Sequence, residues 1–373
     1  MMIPSKNVML VTGSSGLIGS AVCRHFADRY EVVGLDRPGP PHPPEAADSI
    51  DFDLASDESV RQALRKTKKR HGSQIATVIH LAAYYDFSGE PSPLYDTITV
   101  RGTQRLLDGL RNFEVEQFLF SSTMLVHAPC EPGQRINEDW PLEPKWDYPR
   151  SKIEVENIVR HLRRRMSRGV LRIAGVYDDY GHSIPLCHQI QRIYERWMTS
   201  YVFPGDTSRG QAFIHLDDLI DALDRLVERR SDLPRYFPLL LGEPETMSYD
   251  ELQRALGKLI HGEEWTTRQI PKALAKAGAW LQDNLPLTEE PFIKPWMIDL
   301  ADDHYELDIS RAQSLLEWSP QHSLRETLPK IVDALKSDPD AWYREHKLKQ
   351  PSTFEPTNGE VEHDRPTLVH VER

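Results

Sequence analysis

The chain of 373 residues is long enough to bury a large core without disulfides or structural metal. Its 57 acidic against 45 basic residues give a net charge of −12, which argues against a protein held on nucleic acid by the phosphate backbone. Three dispersed cysteines without CxxC spacing offer no zinc site or disulfide framework, and no apolar run reaches the roughly 18–20 residues of a membrane span, so the expectation is a soluble cytoplasmic protein.

In chain order, 8–12 is a short apolar run ending in glycines, and 17–30 has the periodicity of an amphipathic helix. A second apolar run, 31–36, ends on Asp36 and is followed by five prolines between Pro38 and Pro44, read as a stiff loop. Helical patterns at 59–71, 100–112 and 152–167 alternate with strand-like runs at 76–83, 117–121 and 169–174. This alternation predicts an α/β fold with a doubly wound parallel sheet, Rossmann-type, and helices on both faces. Beyond Tyr177 the pattern loosens into a smaller, mostly helical C-terminal substrate lobe. The expected division is 1–178 for the dinucleotide-binding part, with segments within about 208–242 returning to the sheet, 179–207 and 243–346 for the lobe, and 347–373 as a flexible tail. Arg160, Arg163, Arg164, Arg165 and Arg168 read as a solvated basic face.

Gly13-Ser14-Ser15-Gly16-Leu17-Ile18-Gly19 lies between the first strand and the first helix. Gly13 allows the tight turn, Gly16 lets a pyrophosphate approach the backbone, and Gly19 permits close helix–strand packing. The helix start that follows presents free N–H groups to phosphate. Asp36, at the end of the second strand, is placed to accept hydrogen bonds from an adenosine ribose. A carboxylate there repels the extra phosphate of NADP and favours NAD, although the adjacent Arg37 tempers that preference.

Tyr148 and Lys152 are four residues apart and share a face if a helix begins there. A free tyrosine is a poor base near neutrality, and a neighbouring ammonium lowers its pKa by favouring the phenolate. Ser121-Ser122-Thr123 places a hydroxyl cluster at the end of a buried strand, where strand ends line a cofactor crevice. No His or Cys grouping has metal-ligand spacing, so no metal is expected.

Taken together, Gly13 to Gly19, Asp53-Leu54, His80-Leu81-Ala82-Ala83, Val100-Arg101-Gly102-Thr103, Ser121 to Thr123, Tyr148 to Lys152, Phe213 to Leu219 and Leu316 to Pro320 resemble the extended short-chain dehydrogenases/reductases, which include NAD-dependent epimerases and dehydratases. The resemblance implies that Asp53 and Leu54 contact the adenine and that Leu81, Ala82 and Ala83 line the crevice. It implies that Thr123 holds the substrate oxygen, that Tyr148 transfers its proton, and that Lys152 binds the nicotinamide ribose. It also implies a homodimer.

The pattern departs from that family at four places. Thr99 replaces a usual asparagine, and His127-Ala128 stands where Tyr-Gly is common; His127 is either a wall residue or a second acid/base. Gln211 stands where nucleotide-sugar members carry a phosphate-binding arginine, with Arg209 nearby, and Gly175 replaces an asparagine. Tyr84 and Tyr85 follow the third long apolar run as candidates for the substrate wall. The leading expectation is an NAD-dependent oxidoreductase acting on a small-molecule secondary alcohol or ketone. The alternatives are a nucleotide-sugar epimerase or dehydratase with tightly bound NAD, and a non-catalytic NAD(H)-binding sensor.

Overall fold

The computed structural model describes residues 6–86, 89–276 and 294–350. The 351–373 part of the expected tail, Phe87, and residues 277–293 of the lobe lie outside the described residues.

Seven parallel strands form the main sheet: β1 (Asn7–Thr12), β2 (Tyr30–Asp36), β3 (Asp48–Asp51), β4 (Gln74–His80), β5 (Glu114–Thr123), β6 (Ser167–Ile173) and, later in the chain, β10 (Tyr236–Leu241). Their spatial order is β10-β6-β5-β4-β1-β2-β3. The chain leaves β1 toward β2 and β3, then crosses back to build β4, β5 and β6 on the other side. The strand order thus reverses between β1 and β4, and this switch point opens a crevice at the strands' carboxyl ends.

The two-residue period of a strand sorts the core into two layers. Met9 and Val11 of β1 face one layer with Val22 and Phe26 of α1 (Leu17–Phe26) and Leu219 and Leu223 of α6 (Leu216–Glu228). Val8 and Leu10 face the other, with Val60 and Leu64 of α2 (Asp57–His71), Leu106 of α3 (Arg101–Gly109), and Val155 and Val159 of α4 (Asp147–His161). The lobe has a core of its own, where α5 (Ile184–Tyr194) and α7 (Tyr249–His261) pack with the helix Leu324–Ser337 around Trp265 and Trp342.

Several boundaries differ from the sequence reading for identifiable reasons. α1 stops at Phe26 because Tyr30 already pairs with Asn7 in the sheet. α4 starts at Asp147, five residues before Lys152, since a proline at 149 is tolerated in a helix's first turn. β3 shows no apolar run, because only Ile50 of its four residues is buried. Of the two expected returns to the sheet, only β10 joins it. β9 (Phe213–His215) pairs instead with β7 (Gly175–Tyr177), and β8 (Val202–Phe203) with β11 (Arg268–Gln269).

Arg168 belongs to no solvated face. It is buried in β6, and its guanidinium donates to the carbonyls of Val159 and Arg160 (both 3.1 Å), capping the end of α4.

Candidate active site

The phosphate loop is held by backbone packing. Gly13 has φ +72°, and a Cβ there would come within 2.9 Å of the Ala82 nitrogen; a Cβ on Gly19 would overlap the Gly13 carbonyl. Gly16 is different. A Cβ there would touch only Gly13 O at 3.5 Å, so protein packing does not demand the glycine, and the open space beside it is a cradle a side chain would fill. α1 opens without a side-chain cap or a first-turn acid, leaving its N–H groups for an anion. The Ser15 hydroxyl at this cradle is buried without a partner. The carboxylate of Asp36 accepts from the Ser15 and Arg37 backbone N–H groups, both at 2.8 Å, fixing it beside the cradle. These groups fit a dinucleotide.

A hydrogen-bonded chain fixes the crevice floor. Thr103 donates to the Thr99 carbonyl (2.6 Å), so it accepts from Nε2–H of His80 (2.8 Å). His80 Nδ1 then accepts from Thr12 (2.7 Å), whose oxygen receives the N–H groups of Leu81 and Ala82. Burial pushes His80 down to about 3, and it stays neutral. Thr99, the replaced asparagine, still serves the crevice: its hydroxyl accepts from Tyr84 N–H at 3.0 Å.

Thr123 ends β5, and Tyr148 and Lys152 stand one turn apart at the start of α4. Burial pushes the Tyr148 phenol up, opposed by a hydrogen bond with Thr123. Lys152 is buried, its ammonium donates to Ser121 O at 2.8 Å, and burial pushes it down to about 7 against the pull of Glu156. The Tyr85 ring packs edge-on to Tyr148, with centroids 4.6 Å apart. A cleft of about 530 Å³ brings together Gly13, Gly16, Leu17, Ile18 and Gly19, Leu81, Ala83 and Tyr85, Thr123, Tyr148 and Lys152, and Gly175 and Gln211.

Other predicted residues lie elsewhere. The Leu54 side chain is buried under Gly102, and the half-buried Ala82 packs its backbone against Gly13. Asp53 accepts from Ala55 N–H ahead of α2. Tyr84 packs on Tyr95. His127 is neither a wall of the cleft nor an acid/base. It is fully buried, donates from Nδ1 to Trp140 O (3.1 Å), and accepts at Nε2 from Arg172 (3.0 Å). Arg172, 1% exposed, also pairs with Glu156 (2.7 Å), which accepts from Ser122; this network locks α4 onto β5 behind the catalytic groups.

Sequence reading missed Tyr95, on the π-helical turn Tyr95–Val100, whose ring lies 6.5 Å from that of Tyr148. It also missed a second cavity of about 290 Å³ lined by Arg192, Arg209 and Tyr249. Pro185, Gln211 and Phe213 line both spaces, so the two adjoin at these side chains. Arg209 is held there by Glu131 (2.7 Å) and Asp206 (3.2 Å). His215, Asp217 and His322 also cluster, but the two imidazoles stack at 4.1 Å, so their lone pairs run side by side and do not converge on an ion.

Residues 9–237 match the model of the NAD dependent epimerase/dehydratase family. The chain belongs to that family. It is similar to a UDP-glucose 4-epimerase of Mycolicibacterium smegmatis, 27% identical over 349 residues that cover 88% of this chain and 98% of that protein. It is similar to UDP-glucuronic acid decarboxylase 1 of Arabidopsis thaliana, 27% identical over 360 residues, covering 88% and 70%. Its fold is shared with UDP-glucuronic acid 4-epimerase from Bacillus cereus, solved with UDP-glucuronic acid and NAD: TM-score 0.66, 21% identity, 88% of this chain and 99% of that one. Among the described residues of this family member, no helix is long and apolar enough to cross a membrane.

Proposed function

We propose that the protein is a nucleotide-sugar epimerase or dehydratase-type enzyme that keeps NAD bound through its cycle. The carrying observation is the second cavity that adjoins the cleft beside Tyr148, the two sharing Pro185, Gln211 and Phe213 as walls. A small alcohol would need only the space beside Tyr148. A hexose joined to a nucleoside diphosphate needs both. The relatives point the same way, and they favour this reading over net oxidation of an apolar alcohol, which the catalytic groups alone would also serve.

The phosphate loop would hold the pyrophosphate and Asp36 the adenosine ribose, favouring NAD over NADP. NAD held there would supply the hydride acceptor and donor of the cycle. Tyr148 removes the proton from the substrate hydroxyl and restores it to the carbonyl oxygen. Thr123 donates to or accepts from that same oxygen and holds it against Tyr148. Lys152 favours the phenolate over the phenol by charge. Tyr85 packs edge-on against Tyr148 as one wall of the cleft.

The test uses protein as purified. Denaturation should release close to one NAD per chain, and incubation with UDP-glucose should give an isomeric or dehydrated UDP-sugar without net NADH. Release of no NAD, together with turnover only of apolar alcohols at the expense of added NAD, would overturn the proposal.

A further inference from the structure

If the substrate carries a diphosphate, as the proposed function requires, something must meet its charge. Gln211 is neutral and already donates to Asp303 O at 3.1 Å. Arg209 is already paired with two acids. Arg192 of α5 is in another state. It lines the second cavity, has no ion pair among the described residues, and its Nε is buried with no hydrogen-bond partner. Burial disfavours its charge against a partial offset from Tyr249, so the guanidinium is held there at a cost to the fold.

Two more polar side chains of the same cavity are unsatisfied. Gln189, one turn before Arg192 and only 8% exposed, leaves its Nε2 donor unpaired, and Thr199 leaves its hydroxyl unpaired. Buried polar atoms are normally paired, and orphans clustered on one cavity call for a ligand. Two of these three are pure donors, so the ligand must present acceptor oxygens, and the guanidinium asks for negative ones.

We propose that Arg192, with Gln189 and Thr199 beside it, grips the diphosphate of the substrate in this chain, taking over from the arginine that Gln211 replaces. A planar fork from a helix suits this task, since it can meet two phosphate oxygens at once. The inference rests on the nucleotide-sugar reading but concerns which residue carries the charge.

The experiment is calorimetric titration of NAD-loaded protein with UDP and with uridine, for wild type, Arg192→Gln and Arg192→Lys. Loss of a charge-assisted grip should weaken UDP about tenfold to a hundredfold in Arg192→Gln, leave uridine binding unchanged, and be partly restored in Arg192→Lys. A cooperative melt no lower than wild type and unaltered NAD content identify a folded variant, and Arg192→Lys carries the test if the glutamine variant does not fold: a loss of UDP affinity equal to that of uridine would count against the proposal. Wild type and Arg192→Gln binding UDP equally would overturn the role of Arg192 and leave the proposed function standing. Wild type that holds NAD but binds neither UDP nor UDP-glucose would overturn both.

Discussion

The ammonium of Lys152 lies 5.5 Å from the centre of the Tyr148 ring and spends its short hydrogen bond on the Ser121 carbonyl, 2.8 Å away. In the proposed role the lysine acts on the phenol through charge rather than a direct bond, while one of its donors ties α4 to the end of β5. The remaining donors are free for a ribose hydroxyl. Substituting Tyr148→Phe removes the proton carrier and leaves this tie intact. Turnover should fall about 10²–10⁴-fold with NAD content unchanged, measured by product formation and cofactor release. A variant with more than half the wild-type rate would refute the assignment.

Burial of Lys152 has a pH signature. With the folded value near 7 and the ordinary value at 10.5, both folded and unfolded chains are protonated below about pH 7, and the cost of burying the charge is carried in full. Between those values the unfolded chain holds the proton and the folded one releases it, so the contribution of Lys152 to stability rises with pH. Thermal melts of the ligand-free protein should show Lys152→Met relatively most stable near pH 6.5, its position against wild type worsening steadily toward pH 9. A pH-independent difference would contradict this.

The glycines of the phosphate loop should separate binding from folding. Gly16→Ala meets no protein atom closer than 3.5 Å, so without NAD its melting temperature should match that of NAD-free wild type, while NAD affinity falls at least about tenfold. Gly19→Ala drives a methyl into the Gly13 carbonyl and should destabilise the fold by about 1–3 kcal/mol. Denaturant unfolding and NAD titration of both variants check the contrast.

Arg172 and Glu156 form a buried pair, at 1% and 5% side-chain exposure. Arg172→Met strands a carboxylate in the core and should cost about 3–5 kcal/mol, read from urea unfolding. The double variant Arg172→Met/Glu156→Leu should recover much of that loss. No recovery would mean that the arginine's bonds to His127 and the Glu138 carbonyl dominate.

How far the sequence could be read follows from how local each feature is. The phosphate loop and the Tyr148–Lys152 pair depend on spacing within one turn or one loop, and both were legible. His127 read as a wall residue or a second acid/base because its partner, Arg172, lies 45 residues further along and on another strand. Arg192 sat unnoticed in an amphipathic helix, since only the packing of α5 against the segments around 199, 249 and 298 creates the cavity it lines. β3 escaped because a four-residue edge strand with one buried side chain carries almost no hydrophobic pattern.

The neutral imidazole of His80 has a kinetic corollary. Its two nitrogens are committed in opposite senses, one giving and one receiving, and a second proton would break the bond from Thr12. With its ionisation displaced to about 3, the ground beneath the cofactor carries the same charge at every pH the enzyme would meet. An inflection in a rate profile near neutrality would then come from groups other than His80, among them Lys152, pushed down to about 7 by burial, and His182 of the same cleft, raised from its ordinary value by its bond to Asp178.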